Sequence, residues 1–162
     1  MAESRHRRSA SRCGAAPLKA LVVDDQEVNR RVMSLLLDAL GCSATLASCG
    51  EEAIDFAATA AFDAVFMDLN MPGMDGDAAT RRIRAGGASR TAFIVRWTTE
   101  PVSWLDAGLY DDATPKPVTL PGLARVVAEA RWRASRDVGG RSSASESAGA
   151  AQGGRHGRLA TS

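Results

Sequence analysis

Aromatic side chains are scarce in this chain, 5% of its 162 residues, with Trp97, Trp104 and Trp132 and a single tyrosine, Tyr110. No basic groove interleaves with them, so they read as packing or surface residues rather than as a stacking platform for nucleic acid. Histidine is confined to His6 and His156 in the terminal segments, and neither is assigned a task despite the titration range that makes histidine useful. Cysteine is equally sparse. Cys13, Cys42 and Cys49 are an odd number with neither zinc-like nor redox-like spacing, which suits a reducing compartment and ordinary packing. No stretch approaches the roughly 20 apolar residues of a membrane-spanning helix, and no apolar run of a secretory signal follows the opening charges. The expectation is a cytoplasmic protein without a membrane partner. Charge of one sign is lacking too: 20 Lys and Arg face 19 Asp and Glu, which leaves no bulk attraction to nucleic acid or an acidic surface. Finally, no Gly-rich phosphate loop with its Lys and Ser/Thr is present, which argues against nucleotide binding.

What is present suffices for one ordinary core, since 45% of the residues are apolar and the length does not reach two comfortable domains. Residues 1–16 form an Arg-bearing arm, and residues 135–162 become, from Gly139 onward, almost entirely Gly, Ser, Ala and Arg. Such segments bury too little to offset the entropy of ordering, so both are expected to be disordered, leaving residues 17–134 as the folded unit. Within it Leu18 to Val23 and Ala64 to Met67 are short apolar runs that stop at Asp, as strands buried on both faces do. Between them Val28, Val32, Leu35, Leu36 and Ala39 recur at helical spacing and Gly41 follows, a helix with its usual terminator. Ser43 to Ala47 reads as a second strand, and Glu51 to Thr59 as a second helix with Ala53, Ile54 and Ala57 inward. Asp77 to Arg84 gives a third helix, preceded by an Asp75-Gly76 turn. Ala92 to Trp97 is a fourth strand, Leu109 to Ala113 a weaker fifth, and Leu120 to Arg133 a last helix with Leu123, Val126 and Val127 inward. Strands alternating with helices in this way predict an α/β fold, a doubly wound parallel sheet covered on both faces.

In such a sheet, ligands collect beyond the carboxyl ends of the strands. The polar residues of this chain fall there: Asp24 and Asp25 after the first strand, Asp68 after the third, Thr98 after the fourth and Lys116 after the fifth. Three carboxylates brought together raise one another's pKa unless a cation joins them, and Mg²⁺, which prefers oxygen ligands and is held by one or two carboxylates plus a phosphoryl oxygen, answers that need. Asp68 as nucleophile would form an acyl phosphate. Lys116 and Mg²⁺ would balance the charge on the transferring group, and the hydroxyl of Thr98 could hydrogen-bond the oxygen left exposed.

Three stretches carry a resemblance. Leu21-Val22-Val23-Asp24-Asp25-Gln26-Glu27-Val28-Asn29, then Met67-Asp68-Leu69-Asn70-Met71-Pro72-Gly73-Met74-Asp75-Gly76, then Lys116-Pro117 resemble the response-regulator receiver family, most of all the receivers attached to hybrid sensor histidine kinases. With Gly50-Glu51-Glu52-Ala53 and Arg82-Ile83-Arg84, the likeness runs from residue 18 to about residue 130. It implies a flavodoxin-like fold of five parallel strands in the order 2-1-3-4-5. It also implies that Asp68 is the phosphoacceptor, Asp25 the chief Mg²⁺ carboxylate with Asp24 assisting, and the backbone carbonyl of Asn70 a further metal ligand. Lys116 would contact the phosphoryl group through a cis bond to Pro117, and the partner would be a sensor histidine kinase or a histidine phosphotransfer protein.

The chain also departs from that family. Trp97 stands where the fourth strand normally ends in Thr or Ser, so that Thr98 fits only with a shift of one residue. Pro101 to Ala107 leaves room for a shortened fourth helix, and Ala113 occupies the place of the usual aromatic switch residue, with Tyr110 too early. These departures raise the reading of a receiver-like interaction module that no longer takes a phosphoryl group. A haloacid-dehalogenase-type phosphohydrolase would need a general acid/base two residues beyond the nucleophile, and Asn70 is a poor one. DNA recognition finds no helix to carry it after residue 134.

Overall fold

The computed structural model describes residues 16–99 and 108–142. Its strands are β1 (Leu18–Val23), β2 (Cys42–Ala47), β3 (Ala64–Asp68), β4 (Phe93–Thr98) and β5 (Asp112–Pro115), and its helices are α1 (Glu27–Ala39), α2 (Gly50–Thr59), α3 (Gly76–Ala85) and α4 (Leu120–Ser142). The strands form one parallel sheet in the order β2-β1-β3-β4-β5, the order the resemblance implies.

Side chains alternate across each strand, so the sheet feeds two cores. Val22, Phe66, Val95 and Trp97 point to one face, where Met33 and Leu37 of α1 and Leu123, Val126 and Val127 of α4 cover them. Leu21, Val65, Met67 and Ile94 point to the other, against Ala53 and Ala57 of α2 and Ala79 and Ile83 of α3. Chain order reverses between β1 and β3, and a crevice opens where connections leave the two strands in opposite directions.

The inward face of α1 differs from the stripe that its sequence suggests. Val28 is 73% exposed, Val32 47% and Leu35 66%, and Ala39 is exposed as well. Met33 and Leu37 are fully buried, with Leu36 and Leu40 packed against the same core. Two apolar stripes, one position apart, both satisfy helical spacing. The choice falls to the stripe that continues from Asn29 and Arg30, whose polar ends are needed at the β1–α1 turn (below).

Two boundaries also move. The fifth strand, expected at Leu109 to Ala113, lies at Asp112–Pro115. Gly108 turns the chain at φ +95, and Leu109 and Tyr110 are drawn into the α3 core. The Tyr110 hydroxyl donates to Asp77 Oδ1 at 2.7 Å and accepts from Thr80; burial pushes its pKa well above the ordinary phenol value, with Thr80 pulling it back and Asp77 adding to the rise. Pro115, which lacks an N–H, is tolerated because β5 is an edge strand. The last helix, expected to end near Arg133 with a disordered tail from residue 135, runs on to Ser142. A helix already anchored by Leu123, Val126, Val127 and Ala130 can be extended one hydrogen bond per residue even through a weak sequence. The arm at residues 1–15, the short helix expected over residues 101–107 and the tail from residue 143 lie outside the described residues.

Chemical denaturation distinguishes the two stripes of α1. Leu37→Ala should cost about 2–5 kcal/mol, whereas Leu35→Ala should stay within about 0.5 kcal/mol of the parent; the reverse ranking would restore the stripe suggested by spacing alone.

Candidate functional site

Val23 of β1 is in register with Met67 of β3, so the next residues of the two strands, Asp24 and Asp68, emerge side by side. Both continue the alternation of Val22 and Phe66 and leave toward the α1/α4 side. Asp24 is fully buried and Asp68 4% exposed. Asp24 is tightly satisfied: its Oδ1 accepts from the Gln26 N–H at 2.8 Å, and Asn29 Nδ2 donates to both carboxylate oxygens at 3.2 Å. Arg30 Nη1 donates to the main-chain carbonyls of Asp24 at 2.6 Å and Asp25 at 3.0 Å. That clamp holds the turn, and Asp25 presents an exposed carboxylate at the mouth.

Lys116 comes in from the far side of β4. Its main-chain N–H donates to Thr98 O at 2.9 Å, and the bond to Pro117 is cis. The Nζ lies 2.6 Å from Asp24 Oδ2 and 2.8 Å from Asp68 Oδ2, and 4.7 Å from the ring centroid of Trp97. Burial raises the Asp68 pKa; the Lys116 ammonium pulls it back and Asp24 adds to the rise. One cation therefore serves two buried carboxylates.

The β3–α3 loop closes the site. Asp75 is the N-cap of α3 and accepts from Ala78 N at 2.7 Å. Gly73, at φ +83, makes a turn that a side chain would strain. Gly76 has to be glycine for a different reason, since a Cβ there would collide with the main-chain carbonyl of Asp68. The Asn70 N–H reaches back to Asp68 Oδ1 at 3.4 Å.

These residues frame a cleft of about 300 Å³ whose lining includes Gln26, Asn29, Asp68, Asn70, Thr99 and Lys116. Of the residues picked from sequence, Asp24, Asp25, Asp68, Asn70 and Lys116 come together. Thr98 does not join them. It continues the alternation of Ile94 on β4, so its side chain, 1% exposed, lies on the opposite sheet face from Asp68, and Thr99 lines the cleft instead. Asn29, Arg30, Thr99 and Trp97 were not picked as site residues. The spacing of Asn29 and Arg30 after the acid pair was the available signal, because one helical turn carries both side chains back over Asp24.

The carboxylates of Asp24, Asp25 and Asp68 each offer one oxygen, all within 4.8 Å of one another. An octahedral Mg²⁺ with bonds of about 2.0–2.1 Å places opposite oxygens about 4.2 Å apart, so the donor set fits a small hard cation with modest side-chain adjustment.

Comparison with known proteins agrees with the fold. The sequence model for the response regulator receiver domain matches residues 20–127. The response regulator MprA of Mycolicibacterium vanbaalenii is 37% identical over 132 residues, which cover 79% of this chain and 57% of MprA. The sensor histidine kinase RcsC of Salmonella typhi is 37% identical over 111 residues, 67% of this chain but 12% of RcsC. The chain thus spans about half, or far less, of the length of these curated relatives. Among solved structures, the receiver domain of the sensor histidine kinase PA1611 from Pseudomonas aeruginosa, determined with a magnesium ion coordinated in its active-site cleft, superposes with a TM-score of 0.65 at 33% identity, covering 70% of this chain and 97% of that domain.

The raised Asp68 pKa sets the sign of one stability measurement. Folding disfavours the Asp68 anion, so the stability contributed by its protonated form is present below the ordinary carboxylate pKa and lost as pH rises through the raised one. Asp68→Asn should therefore raise the thermal midpoint in metal-free buffer at neutral pH, with the gain shrinking on acidification; an unchanged or lower midpoint at neutral pH would contradict this reading of the site.

Proposed function

Because the chain belongs to the response regulator receiver domain family, we propose that it accepts a phosphoryl group on Asp68 from a sensor histidine kinase or a histidine phosphotransfer protein, with Mg²⁺ as cofactor. The observation that carries this reading is the Lys116 ammonium bridging Asp24 and Asp68, three residues from three different strand ends that no structural need of the sheet requires to meet.

Chemically, an Asp68 carboxylate oxygen attacks phosphorus, the bond from phosphorus to the donor's imidazole nitrogen breaks, and the imidazole leaves with its electron pair and takes up a proton. The product is an acyl phosphate. Transfer of this kind asks the protein chiefly for positioning and for positive charge around the phosphoryl oxygens. Lys116 is placed to give up its contact with Asp68 Oδ2 and pair with those oxygens. Asp25, Asp24, Asp68 and the main-chain carbonyl of Asn70 would hold Mg²⁺, which when bound neutralises charge on the phosphoryl group. Thr99, on the cleft wall, takes over the hydroxyl role first assigned to Thr98. The exposed Val28, Val32 and Leu35 of α1, beside the cleft residues Gln26 and Asn29, offer a donor domain an apolar footing.

The chain is a signalling domain that catalyses at most its own phosphorylation and dephosphorylation. Among the described residues no helix is long and apolar enough to cross a membrane, in keeping with a cytoplasmic site of action. A second reading, a receiver-like module that works without phosphorylation, draws on Tyr110, whose hydroxyl is tied to Asp77 and Thr80 of α3 while Ala113 offers no aromatic ring to move.

Intact-mass measurement after incubation with Mg²⁺ and acetyl phosphate separates the two. Wild type should gain the mass of one phosphoryl group, Asp68→Ala should gain none, and Lys116→Ala should gain it much more slowly. An unmodified wild type, under conditions that label another receiver, would favour the phosphorylation-independent module.

A further inference from the structure

We propose that Trp97 is a positioning residue of the acceptor site: its indole face carries the Lys116 ammonium and aims it at the phosphoryl oxygens on Asp68. The inference rests on the phosphoacceptor reading and adds a residue that sequence reasoning had set aside as packing.

Trp97 is the β4 partner of Asp68 in the sheet register, and on its other side it pairs with Thr114 of β5, two residues before Lys116. Its strand therefore lies between those that carry the acceptor and the lysine, and its side chain is on the same sheet face as Asp68. Only 2% of it is exposed, and the Lys116 Nζ sits 4.7 Å from its ring centroid. An ammonium has three N–H donors and no acceptor. Two directions are used by Asp24 and Asp68, and the ring's negative face meets the same cation in place of water.

A cation over indole, the best of the aromatic faces for this purpose, is worth more when desolvated than at an open surface. Here the lysine side chain is 11% exposed. The indole N–H adds a second argument. It is buried and makes no hydrogen bond among the described residues, a cost that a phenylalanine or leucine filling the same space would avoid. The ring faces, rather than the polar edge, are what the site uses. When the phosphoryl group arrives and Lys116 leaves Asp68 Oδ2 for it, the ring stays in contact with the ammonium, so the cation moves along a fixed surface instead of swinging free.

The test compares Trp97→Phe, which keeps an aromatic face, with Trp97→Leu, which keeps apolar bulk alone, using acetyl phosphate with Mg²⁺ and the rate of mass gain at Asp68. Trp97→Leu should label roughly 5- to 30-fold more slowly than wild type, the range expected for losing a desolvated cation–π contact, with Trp97→Phe recovering most of the rate. In a Lys116→Ala background the leucine substitution should change nothing further, because the cation it acts through is gone. A readout independent of phosphorylation is the Lys116 Hε resonance, shifted upfield by the ring in wild type and Trp97→Phe and returned to its usual place in Trp97→Leu. Should Trp97→Leu fail to fold, Trp97→Met, whose flexible side chain refills the space, replaces it. Equal rates in the Leu and Phe variants, or an equal loss in the Lys116→Ala background, would overturn the positioning role while leaving the acceptor reading intact. A wild type that gains no mass would overturn the acceptor reading, and the positioning role with it.

Discussion

Two carboxylates buried side by side at the ends of β1 and β3 repel one another, and the ammonium of Lys116, within 2.6 Å of Asp24 and 2.8 Å of Asp68, is what allows the sheet to hold them there. Taking such groups out of water costs several kcal/mol per ion, offset only where geometry is good and the remaining lone pairs find partners. The surroundings supply those partners: Gln26 and Asn29 for Asp24, and Asn70 for Asp68. Even so, burial leaves Asp68 with a raised pKa. With three carboxylates and one ammonium the site is short of positive charge as it stands, and a divalent cation would bring the charge that completes it.

Much of the fold is arranged around that shortage. The parallel order of the sheet sets the ends of β1 and β3 next to each other and brings β5 in from beyond β4, so the acids and the lysine arrive from three strands. Arg30 clamps the carbonyls of Asp24 and Asp25, the α3 N-cap at Asp75 anchors the far end of the loop from Asp68, and Gly76 lets the first turn of α3 press against the Asp68 carbonyl. Trp97 completes the frame from β4. On the other sheet face, Tyr110 ties the approach to β5 to α3 through Asp77 and Thr80, a fixed polar contact in the region that departs most from the family pattern.

The strands and the acid cluster were legible in the sequence because they rest on local signals: apolar runs that end at Asp, a loop carrying Pro72, Gly73 and Gly76, and a lysine before a proline. What escaped depended on tertiary context. In α1 two stripes one residue apart satisfy the same periodicity, and only the demand for Asn29 and Arg30 over Asp24 decides that Met33 and Leu37 face inward. The start of β5 could not be read because Leu109 and Tyr110, strand-like by type, are drawn into contact with α3. The exclusion of Thr98 from the cleft follows once β4 is known to run through it, because alternation along the strand then puts its side chain on the face of Ile94, opposite Trp97 and Asp68. Trp97 looked like packing, which in part it is, and its second contact became visible only when Lys116 was placed over the ring.

Asp68, and no other carboxylate of the cluster, is the proposed acceptor of the phosphoryl group. An acyl phosphate is reduced by borohydride to an alcohol, which converts a phosphorylated aspartate to homoserine and fixes its position in the chain. Treating the protein with acetyl phosphate and Mg²⁺, reducing it and sequencing its peptides should place homoserine at position 68 and leave Asp24 and Asp25 unchanged. Homoserine at either of those two positions, or at none in a protein that binds Mg²⁺, would contradict the account.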